Sequence, residues 1–170
     1  MADQDALYAE AAATYGAALE RLARAYDADG DRRRDLLQEI HVAVWQSLAR
    51  FDGRCSLRTW VYRVAHNVAI SQVTRRRANA PTLVGLEELD VAAVAGDPDR
   101  ALDEQRALDR LHALIHQLKP FDRQVMLLYL EGLDAASIGE VTGLSAGNVA
   151  TKVHRIKAVL ARRFHERETR

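Results

Sequence analysis

Two runs of this chain carry side chains suited to work on a polynucleotide. In "SAGNVATKVHR", Ser145, Gly147, Asn148, Thr151, Lys152 and Arg155 fall on or beside one face of a helical repeat, followed by Lys157, Arg162 and Arg163. Asn, Arg and Lys make the bidentate contacts that distinguish base edges in a major groove, and basic residues beyond them hold phosphates. In "RTWVYRVAHNVAISQVTRRR", Arg63, His66, Asn67, Ser71 and Gln72 lie on the polar faces of a second predicted helix that ends in Arg75, Arg76 and Arg77. A base drawn out of a duplex needs a pocket, amide or hydroxyl partners for its edges, and cations for its strand.

Other chemistries find less support. His112 and His116 stand four apart, but no Glu follows His112 and no third ligand presents itself, so they are expected to be surface histidines and no metal site is expected. Cys55 is the one cysteine; it cannot form an internal disulfide and is expected to be a small loop residue rather than a redox sensor. No Ser, His and Asp spacing suggests a triad, and there is no Gly-rich phosphate loop. Neither an enzyme nor a cofactor is expected.

The elements that must position these residues all read as helix. Tyr15, Leu19, Leu22 and Tyr26 form one apolar stripe, broken by "DADGD" at 27–31. Leu37, Ile40, Val44 and Leu48 form the next, with Trp45 beside it, ended by "RFDGR". Val64 and Val68, with Trp60 or Val61, give the buried side of the third helix, which stops near Ala78–Pro81. Of its aromatics, Trp60 is expected in the core, while Tyr62 fits the core or a stacking role equally. Three such helices enclose a bundle. From Asn79 to about Pro98 periodicity lapses in an acidic stretch with two of the three prolines, a linker with at most one weak helical turn. Helix resumes along Leu108, Leu111, Ile115 and Leu118.

The segment 133–164 then reads as a helix-turn-helix. A short helix is predicted over 135–141, Gly143 takes the sharp turn, and Ser145 caps the long second helix. Ile138, Leu144 and Val149 are its interlocking anchors, with Val153, Ile156 and Leu160 inward beyond them. Gly139 stands where the pattern usually has Ala, at about 1 kcal/mol in helix propensity.

Composition permits all of this. The 170 residues are 48% hydrophobic and 28% charged with no net charge, enough to fold and not disordered by composition. No apolar run is long enough to span a membrane, and the acidic N-terminus lacks the features of a secretory signal, so the cytoplasm is expected. The zero balance hides a pattern. Residues 1–30 carry two basic against six acidic side chains, 31–80 ten against four, 81–110 three against eight, and 111–170 nine against six. Two basic blocks alternate with acidic ones, and a basic block attracts phosphate.

The stretch from Asp35 to Arg77 resembles the N-terminal domain of extracytoplasmic-function (ECF) sigma factors, the smallest members of the sigma-70 family. The match runs through Asp35, Leu36, Gln38, Glu39, Trp45 and Phe51, then Thr59, Trp60, Val61, Tyr62, Arg63, Val64, Ala65 and Asn67, then Arg75 to Arg77. "LKPFDRQVMLLYLEGLDAASIGEVTGLSAGNVATKVHR" is similar to the family's C-terminal domain. The resemblance covers about residues 10–78 and 105–165. It implies an all-α chain of two small helical domains: a three- or four-helix bundle over 1–78 and a four-helix helix-turn-helix domain over 105–170, joined by a flexible acidic linker, 79–104.

The resemblance also implies a division of labour. Asp35, Gln38, Glu39, Val42 and Trp45 would dock on the clamp of the largest subunit of core RNA polymerase. The loop from Asp52 to Leu57, with Asp52, Arg54 and Ser56, would wall the pocket for the melted minus-ten strand. Arg63, His66, Asn67, Ser71, Gln72 and Arg75 to Arg77 would hold its bases and phosphates. Ser145, Gly147, Asn148, Thr151, Lys152 and Arg155 would read the minus-thirty-five duplex while that domain sits on the polymerase flap. Glu87, Glu88, Asp90 and Asp97 would thread a channel built for RNA. Core polymerase, promoter DNA and an anti-sigma factor are the expected partners, and regulation by a fused C-terminal module is not expected.

One departure stands out. Where the family usually carries an acidic run, this chain has Arg32, Arg33 and Arg34 before Asp35, which predicts weak affinity for core polymerase. Two rival readings differ in class: a free-standing helix-turn-helix regulator that binds duplex DNA alone, and an interaction protein that sequesters a partner.

Overall fold

The structure, a computed structural model, describes residues 3–79 and 100–166. They form seven α-helices: α1 (Gln4–Tyr26), α2 (Gly30–Leu48), α3 (Leu57–Asn79), α4 (Arg100–His116), α5 (Pro120–Leu130), α6 (Ala135–Thr142) and α7 (Ala146–Glu166). The linker acids Glu87, Glu88, Asp90 and Asp97 lie outside the described residues. Helix α4 begins at Arg100, so residues 100–104 are helical rather than part of a linker reaching to 104.

Five of the seven helices start where a side chain accepts from a free backbone N–H. Asp3 accepts from the Asp5 N–H, Asp29 from Arg32, Ser56 from Thr59, Asp134 from Ser137 and Ser145 from Asn148. Helix α5 instead opens on Pro120, whose missing N–H loses nothing there.

Helices α1 to α3 pack as a bundle around Leu19, Leu22, Leu36, Ile40, Val44, Leu48, Val61, Ala65 and Ala69. The buried stripe of α2 is set on Leu36 rather than Leu37, which is half-buried. That of α3 is set on Val61, Ala65 and Ala69, one position on from Val64 and Val68, which pack at its edge. Alanines fill the tightest part of the crossing, so the larger valines do not mark the centre. Trp60 sits against this core as expected, its indole N–H donating to the Ser47 hydroxyl at 2.9 Å.

The C-terminal half assembles around Val125, Leu128, Leu133, Ile138, Val141, Val149 and Val153, with Leu114, Met126, Ile156 and Leu160 in a second cluster. Gly143, at φ +81°, takes the left-handed turn between α6 and α7. The two halves also pack on each other, chiefly α6 and α5 on α3 and α4 on α1. Tyr62 is buried in the C-terminal half's core rather than placed for stacking.

Candidate polymerase and nucleic-acid interfaces

The outer face of α2 carries Asp35, Gln38, Glu39, Val42 and Trp45, opposite the stripe of Leu36, Ile40 and Val44. The first three are exposed, and Val42 and Trp45, one turn apart, remain 48% and 41% exposed, a small apolar patch among polar residues. Trp45 is tied to α1: its indole N–H donates to Asp5 Oδ1 at 2.8 Å, and Gln4 donates to its backbone carbonyl at 2.7 Å.

A cleft of roughly 730 Å³ separates this face from α3. Asp35, Gln38, Glu39 and Val42 line one wall; Asn67, Ser71 and Arg75 line the other. Two groups of residues with different expected partners therefore share one groove, and Arg75 lies 3.9 Å from Glu39 across it. One amide, one hydroxyl and one guanidinium stand along the α3 wall, with Asp35 and Glu39 opposite.

Other expected strand contacts are placed differently. His66 is 2% exposed and Gln72 8%: both are core residues here, which corrects their assignment to an open face. His66 Nδ1 is hydrogen-bonded to the Tyr26 hydroxyl at 3.3 Å, and burial lowers its pKa to about 3, so the ring is neutral. Arg76 is tied to Asp27 and also donates to Gln72 Oε1, so its charge is not free for phosphate. Arg77 is exposed. In the loop before α3, Asp52 and Arg54 pair with each other at 3.0 Å while exposed, and Cys55 is half-buried. Ser56 spends its hydroxyl on the cap of α3 and on Thr59. Arg63 donates to the backbone carbonyl of Glu140, from the other half.

Asp27 organises this end of the bundle. It is 4% exposed, yet its carboxylate takes Arg76 from α3, Arg32 from α2 at 3.3 Å and the Asp29 N–H. Burial alone would push its pKa up; Arg76, the Asp29 N–H and Arg32 outweigh burial and hold it below the usual carboxylate value. Arg32 thus turns inward to Asp27 and Asp29, and Arg34 pairs with Asp31. Two of the three anomalous arginines thus have an acidic partner close by.

The second interface lies on α7. Ser145, Gly147, Asn148, Thr151 and Arg155 are exposed along one row that begins at the helix cap. Lys152 departs from the row: it is half-buried, paired with Asp122 and set over the Phe121 ring at 5.5 Å. It braces α7 on α5 rather than facing outward. Of the two histidines on α4, His116 is turned inward, its Nε2 N–H donating to the Arg24 carbonyl at 3.1 Å. Among the described residues no cluster of three metal-ligating side chains occurs, and no helix is long and apolar enough to cross a membrane. Asp27 and Glu140 carry no pattern that singles them out in the sequence. Asp27 reads there as one more acid in a helix break, and Glu140 as surface.

The family model for Sigma-70 region 2 matches residues 12–79, and that for Sigma-70, region 4 matches residues 108–160. The chain belongs to the sigma-70 family. Its curated relatives place it in the ECF branch. The ECF RNA polymerase sigma factor SigX of Bacillus subtilis is 26% identical over 136 residues, covering 78% of this chain and 70% of that one. The RNA polymerase sigma factor CnrH of Cupriavidus metallidurans is 26% identical over 162 residues, covering 91% and 84%. Among solved structures, CnrH in complex with the cytosolic domain of CnrY aligns with a TM-score of 0.69 at 22% identity, over 97% of this chain and 91% of that one. The sigma factor RpoE from Bartonella quintana, in complex with the anti-sigma factor NepR, gives 0.66 at 19% identity, over 90% and 93%. At these identities the likeness to solved structures is one of fold. Helices α1 to α3 are the region 2 unit of this ECF sigma factor, and α4 to α7 its region 4 unit.

Proposed function

We infer that the chain directs core RNA polymerase to specific promoters through three surfaces. The exposed α2 face, with Val42 and Trp45 at its centre, docks on the clamp. The α3 side of the cleft, with Asn67, Ser71 and Arg75, together with Arg77, Asp52 and Arg54, takes the melted minus-ten strand. The α7 row of Asn148, Thr151 and Arg155 reads the minus-thirty-five duplex, with Ser145 and Gly147 close to the backbone. The observation that carries this reading is the presence, in one chain, of a capped helix presenting an amide and a guanidinium to solvent and of an apolar docking stripe beside a polar cleft. A regulator acting alone needs the first and has no use for the second.

An anti-sigma factor is the further partner, since a sigma factor of similar fold, RpoE from Bartonella quintana, is held in such a complex. Core polymerase as partner makes the cytoplasm the place of action. The test is a gel-shift titration of promoter DNA with and without core. Tight, salt-sensitive binding only in the presence of core supports the reading; equally tight binding by the chain alone overturns it.

A further inference from the structure

The first two turns of α1 clasp the last two turns of α2. Asp5 Oδ1 accepts the Trp45 indole N–H at 2.8 Å, and Gln4 donates to the Trp45 backbone carbonyl at 2.7 Å. One turn on, the Tyr8 hydroxyl meets His41 Nδ1 at 3.0 Å, with the two rings edge to face. The pairs run in opposite order, Asp5 with Trp45 and Tyr8 with His41, as neighbouring antiparallel helices require. This end of α1 is anchored: Asp3 caps it, and Leu7 and Tyr8 pack against the core of the bundle. Residues 4–8 also precede residue 12, where the region 2 match begins.

A tryptophan is the kind of side chain that anchors an interface, because it buries a large area at low cost in side-chain entropy. That cost falls further when the ring is fixed before the partner arrives. Here α1 fixes Trp45 twice, at the indole N–H and at the backbone behind it. The side chain nonetheless keeps 41% of its surface exposed. Asp5 therefore orients the ring without covering it, and leaves it beside Val42 for a partner to bury.

Resting on the promoter-recognition reading above, in which Trp45 docks on the clamp, we propose that Asp5 is a positioning residue for polymerase docking, with Gln4 bracing the backbone. The bond from the indole to Asp5 holds the ring in its docking orientation in the free chain. The start of α1 thereby belongs to the docking surface, although the residues that meet the polymerase lie on α2.

The experiment measures the affinity of the full-length chain for purified core polymerase in a cycle of Asp5→Ala, Trp45→Phe and the double variant. Phe keeps an aromatic ring but has no N–H for Asp5. Asp5→Ala should weaken core binding about two- to tenfold, the cost of ordering one freed side chain on docking. Asp5→Asn, which keeps an oxygen acceptor, should restore most of the loss. In the Trp45→Phe background, Asp5→Ala should have almost no further effect. Wild-type affinity in Asp5→Ala overturns the proposal. So does an equal loss in both backgrounds, which marks a direct contact of the acid with the polymerase, or a loss in Asp5→Asn as large as in Asp5→Ala. Fraying of α1 would act in either background, so the cycle decides even if Asp5→Ala lowers the melting temperature. Trp45→Ala that binds core as tightly as wild type overturns the docking reading and the proposal with it. Trp45→Ala that weakens binding while Asp5→Ala does not removes the proposal alone.

Discussion

Asp27 illustrates how a single side chain sets the geometry of an interface it never touches. Its buried carboxylate draws the end of α3 and the start of α2 to the end of α1. Asp27→Asn keeps the shape but loses charge-assisted bonds to two partly exposed arginines, and should lower stability by about 1–2 kcal/mol. Chemical denaturation measures this directly; an unchanged midpoint would mean the two arginines find other partners.

His66 makes a second prediction at this scale. Its pKa is about 3 in the fold against about 6.5 in an unfolded chain. Because the folded value is depressed, the unfolded chain binds the extra proton. The stability this group contributes is whole above about pH 6.5 and drains away as pH falls toward 3. His66→Gln should flatten the dependence of Tm on pH between 6.5 and 4. The same slope in both proteins would place the acid sensitivity elsewhere.

At the scale of the element, the turn between α6 and α7 sets the position of the recognition helix. A Cβ on Gly139 would lie 2.6 Å from the Leu144 backbone oxygen, closer than any real contact. Propensity favours Gly139→Ala by about 1 kcal/mol, but backbone must move to admit it. The balance should fall at about 1–2 kcal/mol of net destabilisation, with weaker minus-thirty-five binding. A stabilised variant with unchanged DNA binding would show that the turn yields freely.

The same turn shows what the sequence made legible. Gly143, Ser145 and the anchors Ile138, Leu144 and Val149 sit where their types and spacing put them, because a left-handed turn, a cap and a helix crossing each admit few residues. The core of α3 leaves a weaker pattern. Its centre is Val61, Ala65 and Ala69 with His66 and Gln72 buried beside them, and small or polar core residues leave no hydrophobic stripe. Lys152 and Arg76 look like phosphate ligands in sequence. Their partners, Asp122 and Asp27, are 30 and 49 residues away, a pairing only the folded chain reveals.

At the scale of the molecule, charge placement governs the encounter with polymerase. The resemblance puts Arg33 and Arg34 where the family usually carries acids, and Arg34 pairs with exposed Asp31. Arg33→Ala with Arg34→Glu should leave thermal stability within about 0.5 kcal/mol, since exposed pairs contribute little, and should tighten core binding. Unchanged affinity in a binding titration would show that α2 docks without help from this run.

This chain confers promoter choice on a polymerase that lacks it. The most direct measurement is to map RNA 5′ ends made on host genomic DNA by purified core, with and without the chain. Start sites should appear only when both are present and should share two upstream elements about 25 base pairs apart. A set of start sites unchanged by the chain, at concentrations where it binds core, would contradict it.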